Sequence, residues 1–273
     1  MKGKELFAGF KIELKENELD EYDTCYDIGM GIFEEHESIS HKSLFDFVSK
    51  DGVIDSSKLE KEWFPPVKAD IFLSHSHKDQ ELAIAFAGWL YQAFGLTTFI
   101  DSCVWGYSDN LLSDINNEYS LKSTDSKGNN IYYYRKCNNA ASHINMILHG
   151  ALAKMIDDTE CLFFLNTPNS ISVKQSVDKT YSPWIYSELL LSSIVRHKKL
   201  EEYRKHVSAN SVLNHFNEGR NLQVEYDADT RHLIEIEMRD LKDLKCINGD
   251  GKSTWETMDN LYRQMGLVSR TIY

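Results

Sequence analysis

Three short apolar runs, each leading into a polar loop and then a helical pattern, restrict the folds open to this chain. Ala69-Asp70-Ile71-Phe72-Leu73, Leu96-Thr97-Thr98-Phe99-Ile100 and Cys161-Leu162-Phe163-Phe164-Leu165 are too short for helices and too apolar for strands with one wet face. They fit central strands of a parallel sheet, buried on both faces. Asp79 is placed to cap a helix through Phe94, which Gly95 closes from a C′ position. Further helices are expected over 142–158 and 182–196. Strand and helix in alternation imply right-handed βαβ units and a mostly parallel sheet flanked by helices, an α/β fold.

Pro65-Pro66 cannot continue a helix and marks a boundary. Residues 1–66 read as an N-terminal helical extension, with short helices over 40–48 and 57–64, the second opened by a Ser57/Glu60 capping box. Residues 67–240 form the core domain. It carries an insertion at about 111–140, expected as a hairpin around the turn signal Asp125-Ser126-Lys127-Gly128-Asn129-Asn130. Residues 102–110 read as a polar and aromatic loop. Residues 241–273 read as a helical tail packed on the core, with a second capping box at Ser253 and Glu256. The 79–94 helix is apolar almost all round, so something outside the sheet must cover it; the N-terminal region is the candidate.

The net charge of −12, from 42 acidic against 30 basic residues, argues against broad nucleic-acid or anionic-membrane binding. With no run of about 18 apolar residues and no apolar leader, the expected location is the cytoplasm. The five cysteines are scattered and never form a CxxC pair, which disfavours zinc and a disulfide framework; no metal site is expected. Gly251-Lys252-Ser253 lacks the earlier glycine of a phosphate-binding loop, and Gly29-Met30-Gly31 lacks the third glycine of a dinucleotide fingerprint.

One carboxylate stands out. Ser182 is a good N-cap and Pro183 suits the first helical position, so a helix starts there and places Trp184, Glu188, Leu191 and Val195 on one face. A Glu within an apolar stripe is either a satisfied structural group or a working one, and the residues alone favour the structural reading. Open α/β sheets bind ligands beyond the carboxyl ends of their strands. That rule selects Ser74 and His75, the stretch from Asp101 through Ser102 and Trp105 to Tyr107, Asn166, and Glu188. Loop hydrogen bonding explains His75 and His77 as well as ligand contact does, and Asp101 equally fits a turn or a cap.

In this order the residues resemble a family. Ile71 to Asp79, Phe99-Ile100-Asp101, and Cys161 to Asn166 followed by Ser182-Pro183-Trp184 and Glu188 look like successive parts of bacterial Toll/interleukin-1 receptor (TIR) domains, the last being their Trp-x-x-x-Glu helix. The resemblance covers about 67–200 and implies a flavodoxin-like fold with five strands in the order 2-1-3-4-5, the last lying near 221–240. It also implies cleavage of NAD+ at the nicotinamide–ribose bond, with Glu188 catalytic, NAD+ as substrate and no further cofactor. Ser74, His75, Asp101, Ser102, Trp105 and Tyr107 are then the expected substrate contacts, and Trp184 the support that aims Glu188. Stand-alone proteins of this type imply anti-phage immunity, self-association through TIR domains, and a downstream effector that responds to the product. Two rivals belong to other classes: a non-catalytic TIR adaptor working by assembly, and a related nucleoside hydrolase or transferase.

Overall fold

The three expected strands lie side by side, joined by two others. In the computed structural model, Ala8–Ile12 (β1), Ile71–Ser74 (β2), Thr98–Ile100 (β3), Cys161–Leu165 (β4) and Ile234–Ile236 (β5) form an all-parallel sheet in the order β5-β1-β4-β2-β3. Residues 5–36, 54, 56–64, 67–100, 102–174, 177–195, 198–199, 226–248 and 252–268 are described. Every residue of β2, β3 and β4 is buried, as their apolar composition requires. The architecture is the α/β, flavodoxin-like one expected, with a change in the strand order. Its fourth place belongs to the N-terminal strand β1, between β4 and β5, so the first 66 residues are not an extension outside the sheet.

Eight helices complete the described fold: Tyr22–His36 (α1), Ser56–Trp63 (α2), Gln80–Phe94 (α3), Ser102–Ile115 (α4), Tyr134–Asp158 (α5), Pro183–Ile194 (α6), Met238–Asn248 (α7) and Thr254–Gln264 (α8). The β1-to-β2 and β2-to-β3 crossovers step one way across the sheet, and the next two step back. Right-handed connections therefore put α1 and α3 on one face, α4, α5 and α6 on the other. The contacts agree, since α1 packs on α3 and α5 packs on both α4 and α6.

On the first face α1 supplies the cover that α3 needs. The helices meet through Gly29 and Gly88: a Cβ on Gly29 would lie 2.0 Å from the Ile84 carbonyl oxygen, and one on Gly88 would lie 1.8 Å from that of Cys25. Close packing therefore accounts for Gly29, the glycine that looked like part of a nucleotide motif. Gly95 ends α3 in the left-handed conformation, φ 69°, as read from the sequence. The C-terminal helices close the same side, with Tyr262 stacked on Phe10 at 6.4 Å and the Lys245 ammonium over the Trp89 ring. The Ser253/Glu256 capping box opens α8.

The insertion contains the expected hairpin, Leu121–Thr124 against Asn130–Tyr132. A π-helical turn, Asn116–Ser120, joins it to α4. Ser172–Lys174, Val177–Thr180 and Tyr226–Asp227 form a small antiparallel sheet that sequence reading missed. Helix α2 starts at Ser56, and Glu60 bonds to Lys154 on α5 at 2.5 Å, a role outside the expected capping box. The helix expected over 40–48 lies outside the described residues. No helix among them is long and apolar enough to cross a membrane.

Candidate functional site

The local sequence sets α6 in place. The Ser182 hydroxyl accepts from the Ile185 amide at 3.2 Å, and Pro183 occupies the first turn. The innermost stripe is Ile185, Glu188, Leu189 and Ser192, all buried, while Trp184 and Leu191 flank it half-buried. Glu188 thus sits deeper than the stripe with Trp184 and Val195 suggested, at 0 % exposure. The Ser74 hydroxyl, at the carboxyl end of β2, donates to Glu188 Oε2 at 2.6 Å. This short bond to a carboxylate oxygen offsets part of the cost of burying the group.

Two further hydroxyls hold α6 in register. Ser187 Oγ lies 2.8 Å from Nδ1 of His149 on α5, and Ser192 Oγ lies 2.8 Å from Nε2 of His232, just before β5. Burial holds the His232 imidazole below its usual pKa, against an opposing pull from Asp229. Glu188 therefore lies on a helix fixed at three successive levels to α5, β2 and the approach to β5.

Around it are the other strand ends. His75 follows Ser74 and is buried, and Ser102 begins α4 just beyond β3. The buried Ser102 hydroxyl meets no hydrogen-bond partner among the described residues. Asp101 lies outside them. Trp105 and Tyr107 belong to helix α4, which corrects the expected loop over 102–110. Gly106 and the polar neighbours suggested a loop, but Leu111 and Ile115, one turn apart and buried, anchor a helix that tolerates one glycine.

The clamp at the mouth of the β2–β4 crevice was not anticipated. Asp79, at the N-cap of α3, takes the Thr167 hydroxyl at 2.5 Å and the Asn169 amide at 2.6 Å, linking the loops that leave β2 and β4. Asp79 had only a capping signal in the sequence; it holds the N-cap position but makes no side-chain cap bond, its carboxylate accepting instead from the loop after β4. Asn166 turns away from the crevice: its amide N–H donates to the Ile12 carbonyl at 2.8 Å and its side chain to Glu13 at 3.0 Å.

The structure thus brings Ser74 into contact with Glu188 and places His75 and Ser102 at the same end of the sheet. β2 and β4 are neighbours whose connections leave to opposite faces, the setting in which α/β sheets bind ligands. A carboxylate there can accept bonds from a diol and stabilise a developing cation, once the closed site opens. Comparison with protein-family models, curated proteins and solved structures finds no match.

Proposed function

We propose that this chain is a TIR-domain NAD+ glycohydrolase of the bacterial anti-phage type, with Glu188 as its catalytic carboxylate. The observation that carries the reading is the Ser74–Glu188 hydrogen bond at the β2–β4 strand ends. The positively charged nicotinamide ring departs neutral when the C1′–N bond breaks, taking the bonding electrons, so no strong general acid is needed. The ribosyl cation left behind is stabilised by the Glu188 carboxylate. Water attack gives ADP-ribose and a proton; attack by a nucleophile within the nucleotide gives a cyclic signal for an effector. Ser74, His75 and Ser102 are the proposed substrate contacts, with Asp101, Trp105 and Tyr107 beside them in sequence. Trp184 supports the helix.

Because Glu188 is fully buried, turnover requires the crevice to open, which fits activation by a trigger or by self-association. The same burial favours a second reading, a non-catalytic adaptor in which the Ser74–Glu188 bond only ties α6 to the sheet. Nicotinamide release from NAD+, measured by chromatography with the full chain in dilute solution and under crowding that promotes assembly, separates the two. The enzyme reading expects release in at least the second condition and a loss of roughly a hundredfold or more in Glu188→Gln. No release in either condition, or an undiminished Glu188→Gln rate, overturns it.

A further inference from the structure

Away from the strand ends, α2, the π-helical turn and the first half of α5 line a cavity of about 740 Å³ that is partly open to solvent. Its wall includes Leu59, Ile115, Ile144 and Ile147, an apolar chamber of the size that takes a small organic ligand. Arg135, Lys136 and His143 also line it, with no Asp or Glu among the described lining residues. On a chain of net charge −12 this is a local cluster of basic side chains. Lys136 is held in place, donating to the Tyr119 carbonyl at 2.9 Å and lying over the Tyr133 ring.

The wall also holds a polar group with nothing to bond. Ser120 is 1 % exposed, and its hydroxyl has no hydrogen-bond partner among the described residues. An unsatisfied buried hydroxyl carries a desolvation penalty, and this one is shut off from water-sized contact behind the wall. Ser120 closes the π-helical turn, a form of helix that recurs at functional sites. Its carbonyl accepts from the Tyr133 amide at 2.8 Å, which places Ser120 beside the segment that carries Arg135 and Lys136.

We propose that this cavity is a binding site for a single-chain amphipathic anion. Its apolar body fills the pocket between α2 and α5, and its carboxylate lies at Arg135 and Lys136. The site is separate from Glu188 and does not depend on the NAD+ reading.

The test uses the full chain with laurate, measured by calorimetry and by displacement of 1-anilinonaphthalene-8-sulfonate. Saturable one-to-one binding is expected, weakened at least tenfold by Arg135→Glu at an exposed position and abolished by Ile144→Trp, which fills the chamber. Dodecanol, with the same chain and no charge, is expected to bind at least tenfold more weakly than laurate. The proposal fails if laurate does not bind saturably, if Arg135→Glu leaves binding unchanged, or if dodecanol matches laurate. Should Ile144→Trp fail to fold, the Arg135→Glu and dodecanol measurements decide.

Discussion

The two faces of the sheet are packed in different ways. On the α1/α3 face the helices approach until the backbones touch, with Gly29 and Gly88 leaving no room for a methyl group. On the α4/α5 face the layer is interrupted by a π-helical turn and a cavity of about 740 Å³. The first pattern follows from α3 being apolar on every side, since a helix with no wet face needs a close partner. The second leaves space and an unsatisfied hydroxyl in a layer that also carries α6 and Glu188. Close packing is concentrated on one face, and Glu188 and the void lie on the other.

Replacing small residues with larger ones should test this asymmetry most strongly. Gly88→Val drives a branched side chain into the Cys25 carbonyl and is expected to cost about 3 kcal/mol or more in chemical unfolding. A loss below about 1 kcal/mol would mean that α1 can move off α3 freely. Next is the bond that joins a strand end to the opposite layer: Ser74→Ala leaves a buried carboxylate oxygen without its donor and is expected to cost about 1–3 kcal/mol. On the loose face Ala140→Leu, whose added atoms have the cavity to enter, is expected to change stability by less than about 1 kcal/mol and to weaken laurate binding.

The smallest effect is set by pH. His232 binds its proton less readily folded than unfolded because burial disfavours the cation, so its contribution is complete above the unfolded value near 6.5 and is lost as pH falls through the lower folded value. Unfolding free energy should therefore decline between pH 7.5 and 5.5, and the decline should be shallower in His232→Gln. An identical slope in the variant would assign the dependence to other groups.

Features with short-range causes were legible in the sequence. The Ser182 cap, the Gly95 terminus, the hairpin turn and the Ser253/Glu256 box are each decided within a few residues. The three central strands were legible because burial on both faces leaves an uninterrupted apolar run. Strand β1 was not: Ala8-Gly9-Phe10-Lys11-Ile12 contains a glycine and a lysine, and its credentials are partners at Cys161–Leu165 and Ile234–Ile236. Even Lys11 is resolved at long range, by an ion pair with Glu235 at 3.2 Å. Glu188 was visible as an anomaly, but its bond to Ser74 spans 114 residues and only the fold supplies it. The cavity was invisible for the same reason, its wall being assembled from three separated segments.

The interior place of β1 also sets a timetable for making the protein. Ala8–Ile12 emerges early from the ribosome, yet one of its neighbours is β4 and the other β5, the last strand of the sheet. At roughly 5–20 residues per second, the gap to β4 keeps Phe10 and Ile12 without strand partners for on the order of ten seconds. During that interval β2, β3 and their helices can form while a strand destined for the sheet interior waits. The nascent chain is thus exposed to aggregation at β1, and a chaperone that shields this strand should raise the yield of folded protein more than one acting on the finished chain.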